Sequence, residues 1–255
     1  MARYLKRRLY LKRIKWYFRH IGYRVRHYYL KAVLLPTRIF DYAFGKFSYP
    51  RSPYACHMSY DEFAREHGRY GEFQLWRKAK RVLGKKAVWF RNLYLPKEDG
   101  TTLEIDLVAI SPRGIFVFES KNYDGRIYGD ERYPNWFQMI RKDLRRAPKK
   151  YPFFNPIMQN NMHCRHMARI LEHPDLPIRS FVVFANRCVL KNISYNREKT
   201  VVCRQNRMAR QIRKYKSVLT NAEVSSLAEK LTPFSDYSNI QKYKHIKMLA
   251  DKHKT

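Results

Sequence analysis

The sequence predicts an α/β protein, because three strand-like apolar runs lie between segments that have helical periodicity. The runs are AVWFRNLYL at 87–95, TTLEIDLVAI at 101–110 and GIFVFESKN at 114–122. The segments PKEDG and SPRG separate them, and both contain the Pro and Gly residues that are typical of turns. We therefore expect an antiparallel three-strand meander, with a helix before it and a helix, a strand and a helix after it.

Predicted helices flank the three strands. Helical periodicity precedes them, and Gly84 is the residue type that commonly follows the last turn of a helix. After the strands, residues 123–138 are rich in Gly, Tyr and Asp, and we interpret them as irregular. The pair Asn155-Pro156 predicts a helix start, because Asn caps helices and Pro is favoured at the first helical position. The remaining predicted elements are a buried strand at 178–186 and one or two basic helices within 204–231.

The 255 residues suit one core domain with appendages, and we divide the chain into three parts. These are a basic, partly helical N-terminal extension at 1–59, a core domain at 60–232 and a basic C-terminal tail at 233–255. Residues 1–31 contain eleven Lys and Arg and no acid, with apolar residues at helical spacing, which predicts a basic amphipathic helix. Residues 36–58 contain three prolines and are interpreted as a connecting segment.

The charge of the chain indicates its class of partner. There are 53 Lys and Arg against 21 Asp and Glu, a formal net charge of +32. Such a charge attracts polyanions, so nucleic acid, DNA more than RNA, is the expected partner. For residues 1–35 the alternatives are an anionic membrane surface and docking on the core domain. A further alternative is that the charge serves only solubility, although solubility does not need so large an excess of positive charge.

Composition excludes several classes of protein. Hydrophobic residues make up 45% of the chain and aromatic residues 15%, which is too much for a disordered protein. The four cysteines include no C-x-x-C pair, so neither a zinc ribbon nor a disulfide framework is indicated. No apolar run reaches the length of about 18 residues that a transmembrane helix needs, and we expect a cytoplasmic protein.

The candidate site begins with a hairpin centred on the turn at residues 111–114. Residues that face each other across this turn have numbers with a constant sum, so Asp106 faces Glu119 and Glu104 faces Lys121. Because side chains alternate along a strand, these four side chains share one face of the hairpin. On the opposite face we expect Leu103, Ile105, Leu107, Phe116 and Phe118.

Three acids therefore converge near one place. Asp106 and Glu119 would repel each other unless a cation lay between them, and Mg²⁺ or Mn²⁺ binds carboxylate oxygens. The alternative is a solvated polar face in which Lys121 neutralises one acid. Glu72 lies amid the apolar stripe of the preceding helix, which predicts a carboxylate turned toward the core. Its alternative is an exposed acid near a helix start, where the helix dipole favours negative charge.

Four motifs, taken in order, resemble those of a known family. They are GE at 71–72, LEIDLVAISPRGIFVFESKNYDGRIYGD at 103–130, NWFQ at 135–138 and NPIMQN at 155–160. Over about residues 68–190 the chain resembles the NERD, or nuclease-related, domain, a family grouped with the PD-(D/E)xK nuclease superfamily. The resemblance implies a restriction-endonuclease-like core, whose signature here would be Asp106 and Glu119-Ser120-Lys121. Leu107 departs from the pattern, because a His is common there in the family.

The resemblance also implies a role for each site residue. It implies a metal-dependent nuclease whose Mg²⁺ or Mn²⁺ is held by Asp106, Glu119, the backbone carbonyl of Ser120 and Glu72. Lys121 would orient or help deprotonate the attacking water, and Gln159 would position the water or a ligand carboxylate. The metal would supply Lewis acidity and a nucleophile at neutral pH, which phosphodiester hydrolysis needs.

Three aromatic and imidazole side chains near these motifs are left out of the predicted site. His163 and His166 share a helical face with Gln159, and we interpret them as polar surface residues, with contact to a phosphate as the alternative. Trp136 is interpreted as a core residue. The resulting prediction is a nuclease that acts on DNA. Its rivals are a weakly catalytic nucleic-acid-binding member of the same fold and a basic peripheral membrane protein.

Overall fold

The computed structural model describes residues 41–141, 147–173 and 175–235. Within these ranges the predicted mixed α/β class is confirmed. The predicted amphipathic helix at 1–31 lies outside the described residues, as does the part of the C-terminal tail beyond residue 235. The chain divides into two compact units, one ending at Tyr60 and the other beginning at Asp61.

The described part of the first unit is a helix followed by a compact turn. Residues 41–48 are helical, and a short 3₁₀ helix follows at Tyr49–Arg51. The ring centroids of Tyr49 and Tyr60 lie 5.8 Å apart, and the Tyr49 hydroxyl lies 3.1 Å from the Cys56 sulfur. The interpretation of residues 36–58 as a plain connecting segment is therefore wrong for residues 41–48, because the prolines at 50 and 53 fall after the helix and do not interrupt it.

The second unit consists of helices and two sheets. Its described helices are α1 (Tyr60–Phe63, whose first residue belongs to the first unit), α2 (His67–Leu83), α3 (Pro156–Ile170), α4 (Gln205–Ile212) and α5 (Asn221–Leu231). Its described strands are β1 (Val88–Pro96), β2 (Thr102–Ser111), β3 (Gly114–Lys121), β4 (Arg126–Asp130), β5 (Asn135–Ile140), β6 (Lys149–Phe154), β7 (Ile178–Phe184), β8 (Val189–Ser194) and β9 (Thr200–Arg204). None of the helices in the described ranges is both long and apolar enough to cross a membrane.

The first sheet has the strand order β1-β2-β3-β7-β9. Its first three strands pair antiparallel, and β7 and β9 continue the sheet in parallel with β3. The second sheet has the order β6-β5-β4-β8. The interpretation of residues 123–138 as irregular is wrong, because β4 and β5 lie there. β4 and β5 pair with each other, and β4 also pairs with β8, which lies far away in sequence, so local composition did not reveal this sheet.

The register of the hairpin between β2 and β3 is confirmed. Val108 pairs with Val117 and Leu107 with Phe118, as the turn at 111–114 predicts. Gly114 is needed in that turn, because its φ is +119° and a side chain there would press on a backbone carbonyl of the segment before β7. The turn thus fixes the register of the two strands as far as Leu107 and Phe118.

The expected strict alternation along β2 is wrong between residues 105 and 108. Ile105 belongs to the same core cluster as Val108, whereas alternation would place these two residues on opposite faces. The irregularity lies where Asn92 of β1 has a φ of +50°. Pairing of β1 with β2 there passes directly from Arg91 with Leu107 to Leu93 with Ile105. Asp106 lies within this break in the alternation, between Ile105 and Val108, while the register of β1 and β2 is the same on both sides of it.

Apolar packing fixes the elements around this interruption. One cluster joins β1, β2 and β3 to Met167 of α3 and to Val224 and Leu231 of α5. Another joins the second sheet to β7, and in it Trp136 is fully buried and stacks on Phe184 at a centroid distance of 6.3 Å. The interpretation of Trp136 as a core residue is confirmed. Burial of each large side chain contributes about 1.5–3 kcal/mol to the free energy of folding. The two clusters therefore hold the strands and helices in place around Asp106.

Candidate active site

The site forms where β2 and β3 separate. Their last paired residues are Leu107 and Phe118, and beyond this point β3 continues against β7, with Glu119 beside Val182. The Ser120 backbone N–H donates a 3.1 Å hydrogen bond to Oδ2 of Asp106, which links the two strands across the gap. Asp106 and Glu119 thereby lie at one place, although they are not paired in the ladder.

Glu119 is a buried acid with one satisfied oxygen. Its side chain is 2% exposed, and its Oε1 lies 2.7 Å from Nζ of Lys121. Its Oε2 lies 3.6 Å from Nδ1 of His163 and has no hydrogen-bond partner within the described residues. The alternative of a solvated polar face is therefore wrong for Glu119. A buried, unsatisfied carboxylate oxygen is costly, and a cation would offset that cost.

The protonation of the two strand acids reflects their burial. Burial, and then the neighbouring Asp106 carboxylate, raises the pKa of Glu119 to about 8, although Lys121 and Gln159 act in the opposite direction. Burial also raises the pKa of Asp106 above its usual value, against the effects of the Ser120 N–H and the Lys121 ammonium. The charged forms of both acids are thus disfavoured unless positive charge is added.

Glu72 approaches the same place from α2. Burial, and then the Asp106 carboxylate, raises the pKa of Glu72 to about 8. The start of α2 is held by two side chains: Gln205 donates a 3.1 Å hydrogen bond to the Gly71 carbonyl, and Asn122 donates to the His67 carbonyl. Glu72 is therefore turned toward the core, as its place in the apolar stripe predicts. It lies close enough to Asp106 for the two carboxylates to repel each other.

Lys121 and Gln159 contact each other in the candidate site. The Lys121 ammonium donates a 3.1 Å hydrogen bond to Oε1 of Gln159. Burial alone would lower the pKa of Lys121, but the Glu119 and Asp106 carboxylates raise it above its usual value. Lys121 is therefore a cation at neutral pH. Of its three N–H groups, one points to Glu119 and one to Gln159, which leaves one for a further acceptor.

Helix α3 is fixed so that Gln159 meets Lys121. Asn155 caps the helix, because its Oδ1 accepts from the Ile157 N–H at 2.9 Å, and its Nδ2 donates to the Tyr133 carbonyl at 2.8 Å. Asn160, which is fully buried, donates from Nδ2 to the Val117 carbonyl of β3 at 3.1 Å. The predicted helix start is confirmed. Asn160 was missed, although a polar residue on the apolar face of a helix signals such an anchor.

Two expectations about the site are wrong. Glu104 does not face Lys121, because β2 and β3 no longer pair at that level, and Glu104 instead accepts a 2.9 Å hydrogen bond from the Tyr94 hydroxyl of β1. His163 is not a surface residue, since it is 1% exposed. Burial lowers the pKa of His163 to about 4, so its imidazole is neutral beside Glu119.

The position of His163 could have been found from spacing. The buried residues of α3 include Ile157, Asn160, His163 and Met167, which recur at intervals of three and four. This spacing defines the inner face of the helix. The grouping of His163 with Gln159 is wrong, because Gln159 is not among the buried residues of the helix.

The donor set fits a divalent cation only in part. No three His, Cys, Asp or Glu side chains within residues 41–141, 147–173 and 175–235 are arranged to enclose a metal ion. Asp106 and Glu119 nevertheless offer oxygen ligands of the kind that Mg²⁺ and Mn²⁺ prefer, and one of these oxygens is unsatisfied. An ion with few protein ligands and several waters suits this arrangement.

Comparison with known proteins places these residues in a family. The sequence model of a family described as nuclease-related domain (NERD) matches residues 67–185. The chain is also 31% identical over 186 residues to an uncharacterised protein of Bacillus anthracis, and that match covers 72% of this chain and 84% of the relative. No solved structure matches the chain. The family match spans the candidate site from Glu72 to His163.

Proposed function

Because the chain belongs to the nuclease-related domain family, we propose that it is a metal-dependent nuclease that hydrolyses phosphodiester bonds in DNA. The observation that carries this proposal is the buried Glu119, which lies 2.7 Å from Lys121 and has one unsatisfied oxygen beside the separated strands. The first sheet, with antiparallel β1 to β3 and parallel β7, supports a restriction-endonuclease-like core. We keep the division at 1–59, 60–232 and 233–255 as part of the proposal.

The proposed metal site consists of oxygen ligands. Asp106, Glu119, the backbone carbonyl of Ser120 and Glu72 would hold Mg²⁺ or Mn²⁺. A bound ion would supply Lewis acidity and a nucleophile at neutral pH. The raised pKa values of Glu72 and Glu119 support this assignment, because carboxylates that are costly to ionise alone gain from a nearby cation.

Lys121 and Gln159 have distinct proposed roles. Lys121 stays protonated at neutral pH, so it offsets phosphate charge and orients the attacking water by donating hydrogen bonds rather than by accepting a proton. Gln159 fixes the ammonium by accepting a 3.1 Å hydrogen bond from it. The net charge of +32 supports a nucleic-acid substrate held by its phosphates without recognition of sequence.

A nucleic-acid-binding protein with little hydrolysis is the second candidate function. It is favoured by one observation: the described residues contain no group of three metal-binding side chains. The third candidate, a basic peripheral membrane protein, depends on residues 1–35, which lie outside the described residues. The intact set of Asp106, Glu119 and Lys121 favours the enzyme.

Cleavage of plasmid and single-stranded DNA tests the proposal. With Mg²⁺ or Mn²⁺ the purified protein should cleave DNA, and Asp106→Ala or Lys121→Ala should reduce the rate by at least about 100-fold. Glu229→Gln, a change at an exposed acid of α5, is the matched control and should leave the rate unchanged. If both substitutions leave the cleavage rate unchanged, the assignment of Asp106 and Lys121 to the active site is wrong. DNA binding without any cleavage by the wild type would favour the second candidate.

A further inference from the structure

The second sheet has one buried face and one open face. Ile127 and Trp136 are fully buried on the inner side, against the core that includes Phe184. Side chains alternate along each strand, so their neighbours in sequence project from the other side. We call that side the outer face, and the strand pairing places on it Arg126, Tyr128, Phe137, Met139, Lys150 and Phe154.

The outer face interleaves aromatic rings with positive charges. Phe154 is 51% exposed, Arg126 and Lys150 are exposed, and Tyr128 and Phe137 are half-buried. Nζ of Lys150 lies 3.6 Å from the centroid of the Phe137 ring. A single exposed aromatic side chain is common on protein surfaces, but Phe154 shares one face with the rings of Tyr128 and Phe137 and with two basic side chains, as in surfaces on which bases stack. The basic side chains around it indicate an anionic partner.

A recess lies at one end of the outer face. It has a volume of about 300 Å³ and is lined by Gly125, Arg126, Met139, Arg141 and Pro148. Neither guanidinium forms an ion pair with any residue that the structure describes. By contrast Asp130, at the other end of β4, is neutralised by Arg132 at 2.7 Å. Among the described residues, the two guanidinium groups of the recess thus have no acidic partner, and such groups suit a phosphate.

We infer that the outer face of the second sheet binds single-stranded nucleic acid. Bases would stack on Tyr128, Phe137 and Phe154, while Arg126, Arg141 and Lys150 would hold the phosphates. A duplex is disfavoured as the occupant because its bases already stack on one another and show only their edges and phosphates. Stacking on flat exposed rings requires unpaired bases.

The outer face is connected to the candidate active site by a short segment. Only residues 122–125 separate Lys121 at the end of β3 from Arg126 at the start of β4. The Val189 N–H donates a 2.8 Å hydrogen bond to the Gly125 carbonyl, and the Ala185 N–H donates to the Lys121 carbonyl at 3.0 Å, which ties this segment to the strands beside it. The recess and Lys121 thus lie at the two ends of one short anchored segment. The inference deepens the proposed nuclease function, on which it rests, by naming single-stranded nucleic acid as the substrate class.

Binding measured without metal tests the inference separately from hydrolysis. Fluorescence anisotropy of the full chain in EDTA would use a labelled oligothymidine of about 20 nucleotides, the matching RNA and a duplex of equal length. Tyr128→Ala and Phe154→Ala should each weaken single-strand binding about tenfold and change duplex binding by less than about twofold. Phe154 is largely exposed, so its removal leaves the core intact.

Tyr151→Ala is the matched control. Tyr151 lies on β6 between Lys150 and Pro152, is 40% exposed, and pairs with Gln138 on the inner side of the sheet. Its loss should leave single-strand affinity unchanged. The inference is overturned if Tyr128→Ala and Phe154→Ala behave like Tyr151→Ala, or if the wild type binds only duplex.

The same variants also test whether the outer face binds a second copy of the chain instead. If Phe154→Ala lowered the mass of the protein in light scattering without weakening single-strand binding, the outer face would be an interface between copies, which overturns the inference. Cleavage of duplex plasmid that depends on Asp106 would then still support the proposed nuclease function. Conversely, if the wild type with Mg²⁺ or Mn²⁺ cleaved neither plasmid nor single-stranded DNA but still bound single strands through Tyr128 and Phe154, the enzyme would be refuted and the binding face would stand.

Discussion

At the scale of single residues, the contacts of Glu119 explain why an acid lies in an apolar strand. Its two oxygens have different neighbours, the Lys121 ammonium at 2.7 Å and the neutral imidazole of His163 at 3.6 Å. That Asp106 and Glu119 lie near each other was predictable, because the turn at 111–114 sets the register of β2 and β3. The role of His163 was not predicted, since it depends on how α3 packs against β3.

The raised pKa values predict how the metal-free protein responds to pH. Glu72 and Glu119 have folded-state pKa values of about 8, above their ordinary value of 4.5, so between about pH 6.5 and 8 the folded protein binds more protons than the unfolded chain. Stability should therefore fall as pH rises through this window, by at most on the order of 1 kcal/mol per pH unit for each group. Below pH 6.5 the neutral His163, with a pKa of about 4, acts in the opposite sense.

Urea unfolding in EDTA at several pH values measures this dependence. Glu119→Gln should reduce the slope between pH 6.5 and 8, because the amide cannot titrate. Glu229→Gln, which changes an exposed acid, should retain the slope of the wild type. A wild-type stability that is flat or increases between pH 6.5 and 8 would refute the assignment of raised pKa values.

At the scale of elements, helix α3 and the β2–β3 hairpin were predictable and the second sheet was not. The Asn155-Pro156 start and the turn at 111–114 are local signals that act within a few residues. Strands β4 and β8 pair with each other across many intervening residues, and no local pattern encodes that pairing. The irregularity at Asn92 is also a tertiary feature, and it redirects Asp106 away from simple alternation.

The cap of α3 should support both stability and activity. Asn155→Ala removes the acceptor of the Ile157 N–H and the donor to the Tyr133 carbonyl, and should destabilise the protein by about 1–2 kcal/mol in urea unfolding. Since Gln159 lies one turn further along the helix, the DNA cleavage rate of the folded variant should also fall.

Thr220→Ala is the matched control for that substitution. Thr220 caps α5 through a capping box with Glu223, so its loss should cost a similar free energy of unfolding. Because α5 contributes core residues and no candidate site residue, cleavage by folded Thr220→Ala should equal that of the wild type. Equal cleavage rates for the two cap variants would contradict the proposed role of α3 in positioning Gln159.

At the scale of the whole molecule, the second unit combines a site for chemistry with a surface for holding a strand. The class of the fold and the family could be predicted from the order of motifs between residues 71 and 160. The basic composition predicted the class of partner but not the surface that binds it. That surface arises because the inner side of the second sheet packs on Phe184 while its outer face stays open.

The measurement that tests the central claim most directly is the single-turnover rate of DNA cleavage by Glu119→Gln with Mg²⁺. The substitution preserves the size of the side chain and removes the carboxyl group that contacts Lys121. The account predicts a rate at least about 100-fold below that of the wild type, with DNA affinity within about twofold. A variant that binds DNA normally and cleaves it at the wild-type rate would contradict the claim that this buried acid is part of the catalytic site.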